Sequence, residues 1–310
     1  MVVSQMEVVK NCDLKPFTTL KTGGNAEIAY FPSTVEELVD CIKTHAENNE
    51  PYTIIGAGSN LLVSANGVNG AVILTKNLKD VKQIEDNKLY AMCGVKSSSF
   101  AKTAYEAGLA GGEFLIGIPG SIGGAIYMNA GAHGQNIKDI IESVKILDMN
   151  TYEIREIPAT ELSFTYRSST FADKNYIILS GIFNMPNCNK EQMKEKMDFH
   201  VNYRAEHHPP LSEYSAGSTF RNPDGDYAAN LLEKVGAKEY IENGKVRFSQ
   251  KHANFLYNFG EADSTDIIRL MYTMWERVRK EFNIKLHPEI KFIGQKTNEE
   301  DELWKIMTKL

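Results

Sequence analysis

The chain has 310 residues, 42% hydrophobic and 24% charged, with a formal net charge of −6. These values are ordinary for a folded globular protein. The acidic balance gives no support for nucleic-acid binding, and no stretch approaches the roughly 18 apolar residues of a membrane span.

At about 100–200 residues per domain, the length predicts two or three domains. The N-terminal "MVVSQMEVVKNCDLK" has no apolar core of signal-peptide length. Cys12, Cys41, Cys93 and Cys188 are scattered without a C-x-x-C, and read as free thiols of a reducing compartment, the cytoplasm. A strand over Ala26–Phe31 leads through Pro32 to a helix. Ser33 and Glu36 have capping-box spacing there, and Val35, Leu38, Val39 and Ile42 form its apolar face. Tyr52–Ile55 and Ala71–Leu74 read as strands around a first glycine loop. After two more short strands, a helix over Ser98–Ala107 ends at Gly108. Strands are expected at Val144–Leu147 and Tyr176–Phe183, with "LSFTYRSSTF" between them. Pro186 and its polar sequel mark a boundary, followed by a charged linking helix in "NKEQMKEKMDFHVNYRAEHHPP". Beyond it come a short helix after Asp226 and strands at Val246–Phe248 and Asn254–Tyr257. Ser264 is expected to cap a long helix whose apolar face is Ile267, Ile268, Met271, Trp275, Val278 and Phe282. A strand at Glu289–Ile293 and a polar tail, at most a loose helix, complete the chain. Strand, helix and strand joined by tight glycine turns predict an α+β fold.

The densest signal is "GEFLIGIPGSIGGAIYMNAGAHGQ", Gly112–Gln135. Gly117, Gly120 and Gly123 fall at threes around Pro119, a spacing that suits neither a core helix nor a strand. Glycine takes positive φ and admits a ligand close to the backbone, and consecutive amides can converge on an anion. One reading is a wall for a large, flat, phosphate-bearing cofactor; the other is a turn-rich connection in a β domain. The number and density of glycines favour the cofactor. No Lys followed by Ser or Thr comes after the last glycine, which excludes a Walker loop. The first loop, "IGAGSNL", has Leu61 where a dinucleotide fingerprint needs its third glycine, and no long helical pattern follows. Two backbone-amide loops therefore stand ready to grip one pyrophosphate. The first is Ile55, Gly56, Ala57, Gly58, Ser59, Asn60 and Leu61. The second comprises Gly117, Ile118, Pro119, Gly120, Ser121, Gly123, Gly124, Asn129, Gly131 and Ala132.

Other chemistry is less pointed. His207 and His208 are adjacent and cannot share a helix face, so they are not spaced as metal ligands, and no metal is expected. His133 reads as a cofactor contact or as an exposed residue. H-E-x-x-H and G-x-S-x-G are absent. In "YRSST", Arg167 offers a planar fork for a carboxylate, or a surface ion pair of little worth. In "AGSTF", Ser218 is an accessible hydroxyl or a turn serine, and spacing alone favours the turn. In "HPEIKFIG", Glu289 opens a strand, where a Glu is usually solvated.

Taken in order, "TLKTGGNA", "IGAGSNLLVSANGVNGAVI", "GIPGSIGGAIYMNAGAHG", "FTYRSS", "SAGSTFRNP", "KHANFLYN" and "HPEIKFIG" resemble the UDP-N-acetylenolpyruvoylglucosamine reductases (MurB), flavoenzymes of peptidoglycan synthesis. The resemblance runs from about Thr18 to Gly294. It implies an FAD-binding domain of the vanillyl-alcohol-oxidase/p-cresol-methylhydroxylase type, with lobes at 1–75 and 76–188. A C-terminal UDP-sugar-binding domain at 189–295 and a polar tail at 296–310 follow. It implies non-covalent FAD, and NADPH alternating with UDP-N-acetylglucosamine-enolpyruvate in one pocket of a monomer that uses neither membrane nor nucleic acid. Carried over by motif, Ser218 is the proton donor, and Arg167 and Glu289 polarise the enolpyruvyl carboxylate. Tyr166, Arg167, Asn222 and His252 contact the substrate. The chemistry needs these types: hydride arrives at the terminal carbon of an enol ether, and charge spreads into the carboxylate. Fixed polar groups stabilise that charge before an acid quenches the neighbouring carbon.

Two departures fall in the sugar-binding part. Tyr214 stands where the family often has Pro, and "GAKEYIENGKVRFS" is poor in the usual glycines. The connector from Phe183 to Ser215 is too short for the tyrosine-bearing loop of longer enzymes, which implies the shorter class. The competing readings are an FAD-dependent oxidase of a sugar or hydroxy acid on the same flavin fold, and a colourless UDP-sugar-binding regulator.

Overall fold

The computed structural model describes residues 6–309. The first five residues of the stretch read for a signal sequence, and Leu310 of the tail, lie outside the described residues. Two compact units interleave along the chain. One holds residues up to Val8, Ala29–Ala57 and Val72–Arg204; the other holds Val9–Ile28, Gly58–Ala71 and the chain from Ala205 on. Strands Glu7–Asp13, Asn25–Phe31, Val68–Leu74 and Tyr52–Ile55 lie in that order in a four-stranded sheet. The α+β class expected from the sequence holds.

The first unit is built on an antiparallel sheet in the order Glu153–Pro158, Ile141–Asp148, Tyr176–Asn184, Lys88–Met92, Val81–Glu85. Ile141–Asp148, rich in Ile, Val and Leu, buries most of its length, and the central strand Tyr176–Asn184 buries Leu179 to Gly181 and Phe183. The Ser97–Ala107 helix buries Phe100, Ala101 and Ala104, and stops at Gly108, whose φ of 72° only glycine adopts cheaply. Phe100 meets Phe183 edge to face at 4.6 Å between ring centres. The Val35–Glu47 helix buries Leu38, Val39 and Ile42. Its cap is Thr34 rather than Ser33. The Thr34 side chain accepts the Glu37 amide, and the Glu37 carboxylate accepts the Ser33 amide. "TVEE" repeats the S/T-x-x-E spacing one residue later, which the sequence reading passed over.

The glycine stretch, whose spacing at threes suits neither a core helix nor a strand, nevertheless contains a short helix, Ile122–Tyr127. Gly123 is there for packing. Its amide donates to the Cys93 carbonyl at 2.8 Å, and a Cβ on it would lie 2.8 Å from the Cys93 Cβ. Strands Glu7–Asp13 and Glu153–Pro158 gave no sequence signal because each buries a single side chain.

In the second unit, the Ser264–Phe282 helix buries Ile267, Ile268, Met271, Trp275 and Val278, while Phe282 packs at the core's margin. Asp263, not Ser264, is its cap: Asp263 and Asp266 exchange side-chain-to-amide bonds. Ser264 turns instead to the buried Glu300 carboxylate, to which its hydroxyl donates. Glu300 also closes a capping box with Thr297. The tail is therefore a capped helix, Asn298–Thr308, with Met307 buried in the core of this unit. Strands Val246–Phe248 and Leu256–Asn258 pair antiparallel, and Lys291–Ile293 runs parallel to Leu61–Val63. Both the Asn254 and Glu289 starts are trimmed relative to expectation, because the backbones of those residues bond to Thr219 instead. No helix among the described residues is long and apolar enough to cross a membrane.

Candidate active site

The first unit carries the glycine stretches. Ile55–Ala57 belong to it, while Gly58–Leu61 belong to the second unit. The two glycine loops meet at Gly56, where a Cβ would fall 2.5 Å from the Ser121 Oγ. Gly131 is required by its own hairpin: a Cβ there would sit 2.5 Å from the Gln135 carbonyl oxygen. His133 and Gly134 form the turn of that hairpin, with φ of 54° and 82°, the double positive φ of a type I′ turn. Gly117–Gly120 are half-buried and Gly124 is exposed, and a Cβ on Gly124 would meet only the Ser121 Oγ, at 3.6 Å. Some glycines thus serve internal packing and others leave backbone open. An open, side-chain-poor backbone wall fits a dinucleotide of the FAD kind. Cys93, behind Gly123, offers no covalent tether, since burial pushes its thiol up to about 12.

The charge missing from the glycine sequence comes from the helix read as a linker. Arg204, near the end of Lys190–His207, donates from Nη1 to the Gly117 carbonyl at 3.3 Å. Burial pushes its guanidinium below the usual arginine value. His133, exposed, packs edge-on to Tyr203 at 4.4 Å and lies 5.0 Å from His200. Burial lowers the His200 pKa, and His133 adds to the shift.

Arg167 sits in the two-residue turn between Phe164–Thr165 and Ser168–Ser169. Its φ is 57°, a left-handed conformation that costs a residue with a Cβ about 1–2 kcal/mol. Such strain persists only where the surroundings fix it, and it gathers at functional sites. Here the surroundings are visible. The Asn129 side chain donates to the Thr165 carbonyl and accepts the Lys138 amide, both at 3.1 Å. The Ser169 hydroxyl donates to the Tyr127 carbonyl at 2.7 Å. The Arg167 Nη1 itself reaches the Gly131 carbonyl at 3.4 Å, and its guanidinium lies 5.2 Å from the centre of the exposed Tyr166 ring. The turn is stapled to the glycine stretch, and Asn129, expected at the cofactor, uses its side chain for this.

The second unit brings Ser218 and Glu289 together. Ser218, half-buried, follows Gly217 with φ of 73° and forms a β-bridge with Phe255. Thr219 donates its amide to the Asn254 carbonyl at 2.7 Å and accepts the Glu289 amide at 2.8 Å. Glu289 is 8% exposed, so it is not the solvated strand-edge Glu of the ordinary case. Asn60 of the first glycine loop donates from its side chain to the Glu289 carbonyl at 3.1 Å and accepts the Lys291 amide at 2.9 Å. Burial lowers the Lys291 pKa, with Arg221 adding and Glu289 opposing. Burial likewise lowers His287, with Arg221 and Lys291 adding. Arg221 and Lys291 were not singled out in the sequence, although both lie in the motifs "FRNP" and "HPEIKFIG". The Asn222 side chain accepts the Ala228 amide at 3.1 Å, tying it to the start of the Ala228–Lys234 helix. His252 accepts the Asn254 amide on Nδ1 at 3.2 Å, which places its remaining proton on Nε2. Burial, then Lys238, keeps it below the usual histidine value. His208 stacks on Phe255 at 4.9 Å. Among the described residues no group of three His, Cys, Asp or Glu is placed to hold a metal.

Residues 26–156 match the FAD binding domain family, and residues 209–293 match the UDP-N-acetylenolpyruvoylglucosamine reductase C-terminal domain. Fold and site thus define a flavin-binding α+β oxidoreductase with a distinct C-terminal domain. The UDP-N-acetylenolpyruvoylglucosamine reductase of Clostridium beijerinckii is 39% identical over 89% of this chain and 89% of its own length. The enzyme of that name from Listeria monocytogenes is 38% identical over 92% of this chain and 94% of its own. The crystal structure of UDP-N-acetylenolpyruvylglucosamine reductase (MurB) from Thermus caldophilus superposes with a TM-score of 0.78 at 30% identity, covering 93% of this chain and 98% of that one. The chain belongs to the UDP-N-acetylenolpyruvoylglucosamine reductase (MurB) family.

Proposed function

We propose that Arg167, Ser218 and Glu289 carry this family's reaction, the NADPH-dependent, FAD-mediated reduction of UDP-N-acetylglucosamine-enolpyruvate to UDP-N-acetylmuramate for peptidoglycan synthesis. The observation that carries the proposal is the bond from the Glu289 amide to the carbonyl of Thr219, the residue next to Ser218. Residues Ile55 to Leu61, Gly117 to Ser121, Gly123, Gly124, Asn129, Gly131 and Ala132 are the proposed FAD contacts, made chiefly by backbone. Held there, FAD would supply hydride transfer from NADPH to the terminal carbon of the enol ether.

The chain's own residues do the rest. Arg167, pre-set by its stapled turn, presents a planar fork to the enolpyruvyl carboxylate. Glu289, buried and fixed by Asn60 and Thr219, is the second polar group at that carboxylate. Fixed groups in a dry site stabilise developing charge without reorganising. Ser218 gives its proton to the adjacent carbon. Tyr166, Asn222 and His252 contact the substrate, His252 as a neutral Nε2–H donor. We assign the flavin lobes to 1–75 and 76–188 and the sugar-binding domain to 189–295, in a cytoplasmic monomer of the shorter class. The C-terminal family match over residues 209–293 disfavours the oxidase reading.

The test is an absorbance spectrum of the pure protein with an NADPH oxidation assay. Flavin bands released intact by acid, and NADPH oxidation dependent on the enolpyruvyl sugar, are expected. A colourless protein, or oxygen uptake with alcohols in place of that dependence, overturns the reading.

A further inference from the structure

The motif "KHANFLYN" contains a residue that the reaction does not use directly. Asn254 is buried, and its side-chain amide is spent entirely on one residue two places past the proposed proton donor. Its Oδ1 accepts the Phe220 amide at 2.9 Å, and its Nδ2 donates to the Phe220 carbonyl at 2.8 Å. A primary amide offers an acceptor and a donor side by side, the pair that a neighbouring β-strand would present. Here one side chain replaces a strand partner. The backbone of Asn254 extends the clamp to the residue before: its carbonyl accepts the Thr219 amide at 2.7 Å. Ser218 itself is bridged to Phe255, the residue after Asn254. Gly217, with φ of 73° and open space where a Cβ would be, supplies the bend that lets the chain enter this clamp. Three consecutive residues, Ser218 to Phe220, are thus held from one side by Asn254 and Phe255, and from the other by Glu289.

We infer that Asn254 is a positioning residue for the protonation step, fixing the Ser218 hydroxyl by clamping Thr219 and Phe220. The inference rests on the reading of Ser218 as proton donor. In that step the Ser218 O–H bond breaks as the new C–H bond forms at the carbon next to the hydride-accepting carbon. Hydride comes from NADPH by way of the flavin, and the serine oxygen is reprotonated from solvent. Misplacing a reacting group by about 1 Å costs on the order of 10²-fold in rate. Loss of the clamp also leaves both backbone groups of a fully buried residue unpaired.

The experiment uses the FAD-loaded full chain and stopped-flow absorbance of the two half-reactions, with Asn254→Ala, Ser218→Ala and the double variant. Flavin content by absorbance and unfolding temperature by circular dichroism are read alongside. For Asn254→Ala the expected result is NADPH-driven bleaching within about twofold of the parent. Sugar-driven return of colour should slow by about 10–10²-fold, with KM for the sugar changed less than kcat. The double variant should be no slower than Ser218→Ala alone, because Asn254 acts only through that hydroxyl. If Asn254→Ala does not fold, Asn254→Asp keeps the acceptor for the Phe220 amide, and the same split is expected from it. Equal slowing of both halves, or a double variant in which the losses multiply, overturns the positioning role. If Ser218→Ala itself fails to single out the second half, the proton-donor reading falls and this inference falls with it. If Ser218→Ala does single it out and the Asn254 variants do not, only the positioning role is wrong.

Discussion

Arg167 is where backbone strain and proposed chemistry coincide. Its left-handed φ is one that glycine adopts without cost, yet the position holds a bulky cation. Arg167→Gly should therefore leave the unfolding temperature unchanged or slightly raised, relief of about 1–2 kcal/mol being offset by glycine's entropy of about 0.5–1 kcal/mol. Its turnover should fall by more than about 10²-fold. Arg167→Lys keeps the charge but not the planar fork, and should lower kcat as well as raise KM. A change in KM alone would mark uniform binding rather than transition-state binding. The glycines make a second residue-scale contrast. Gly123 touches Cys93, whereas Gly124 is exposed and an added Cβ would make only an ordinary contact with the Ser121 Oγ, so Gly123→Val should disrupt folding. Gly124→Val should fold with a native circular dichroism spectrum and bind FAD about tenfold more weakly or worse, on the order of 1.4 kcal/mol. The sequence showed a cluster of glycines but not which of them face solvent and which face another strand. The burial of Glu289 was not legible for the same reason: its backbone bonds go to Asn60 and Thr219, far away in the chain.

Among elements, those with a strong period were legible: the Val35–Glu47, Ser97–Ala107 and Ser264–Phe282 helices stand where the apolar spacing put them. Their caps were each displaced by one residue at Thr34 and Asp263, because neighbouring residues offer equivalent spacing and only the observed bonds choose between them. The tail was the larger surprise. Its polar composition hides Glu300, a single buried carboxylate that caps its own helix and accepts the hydroxyls of Ser264 and Thr265 at the start of another. Glu300→Ala should destabilise the protein by about 1–3 kcal/mol, through donors left without their acceptor. Chemical denaturation read by tryptophan fluorescence checks this, since Trp304 of the tail lies 5.4 Å from Phe292. An unchanged midpoint would mean that the tail helix adds nothing to the unit.

At the scale of the whole molecule, acid sensitivity follows from one buried and two half-buried histidines. His200, His252 and His287 are all held below 6.5 by burial. The unfolded chain therefore binds more protons than the folded one below about 6.5, and stability falls as pH drops through that value. Asp266 works in the same direction at lower pH. Burial opposes its ionisation, but bonds from Asn243 and Lys245 prevail and hold its carboxyl below 3.8. Its contribution is present above that value and lost beneath it. The unfolding temperature should decline steadily from pH 7 to pH 5 and again below pH 4; a rise over the first interval would contradict the lowered values of these three imidazoles.

In the proposed reaction, Ser218 supplies the proton that completes the reduction. NADPH-driven bleaching of the flavin needs no proton from Ser218, whereas reduction of the enolpyruvyl sugar does. Stopped-flow absorbance of the two half-reactions in Ser218→Ala separates the two requirements. The predicted result is normal bleaching by NADPH and sugar-driven recovery slowed by about 10²–10⁴-fold, the usual worth of a positioned acid, with Ser218→Cys retaining more activity than Ser218→Ala. Equal slowing of both half-reactions would show that Ser218 only shapes the pocket, and would contradict its role as proton donor.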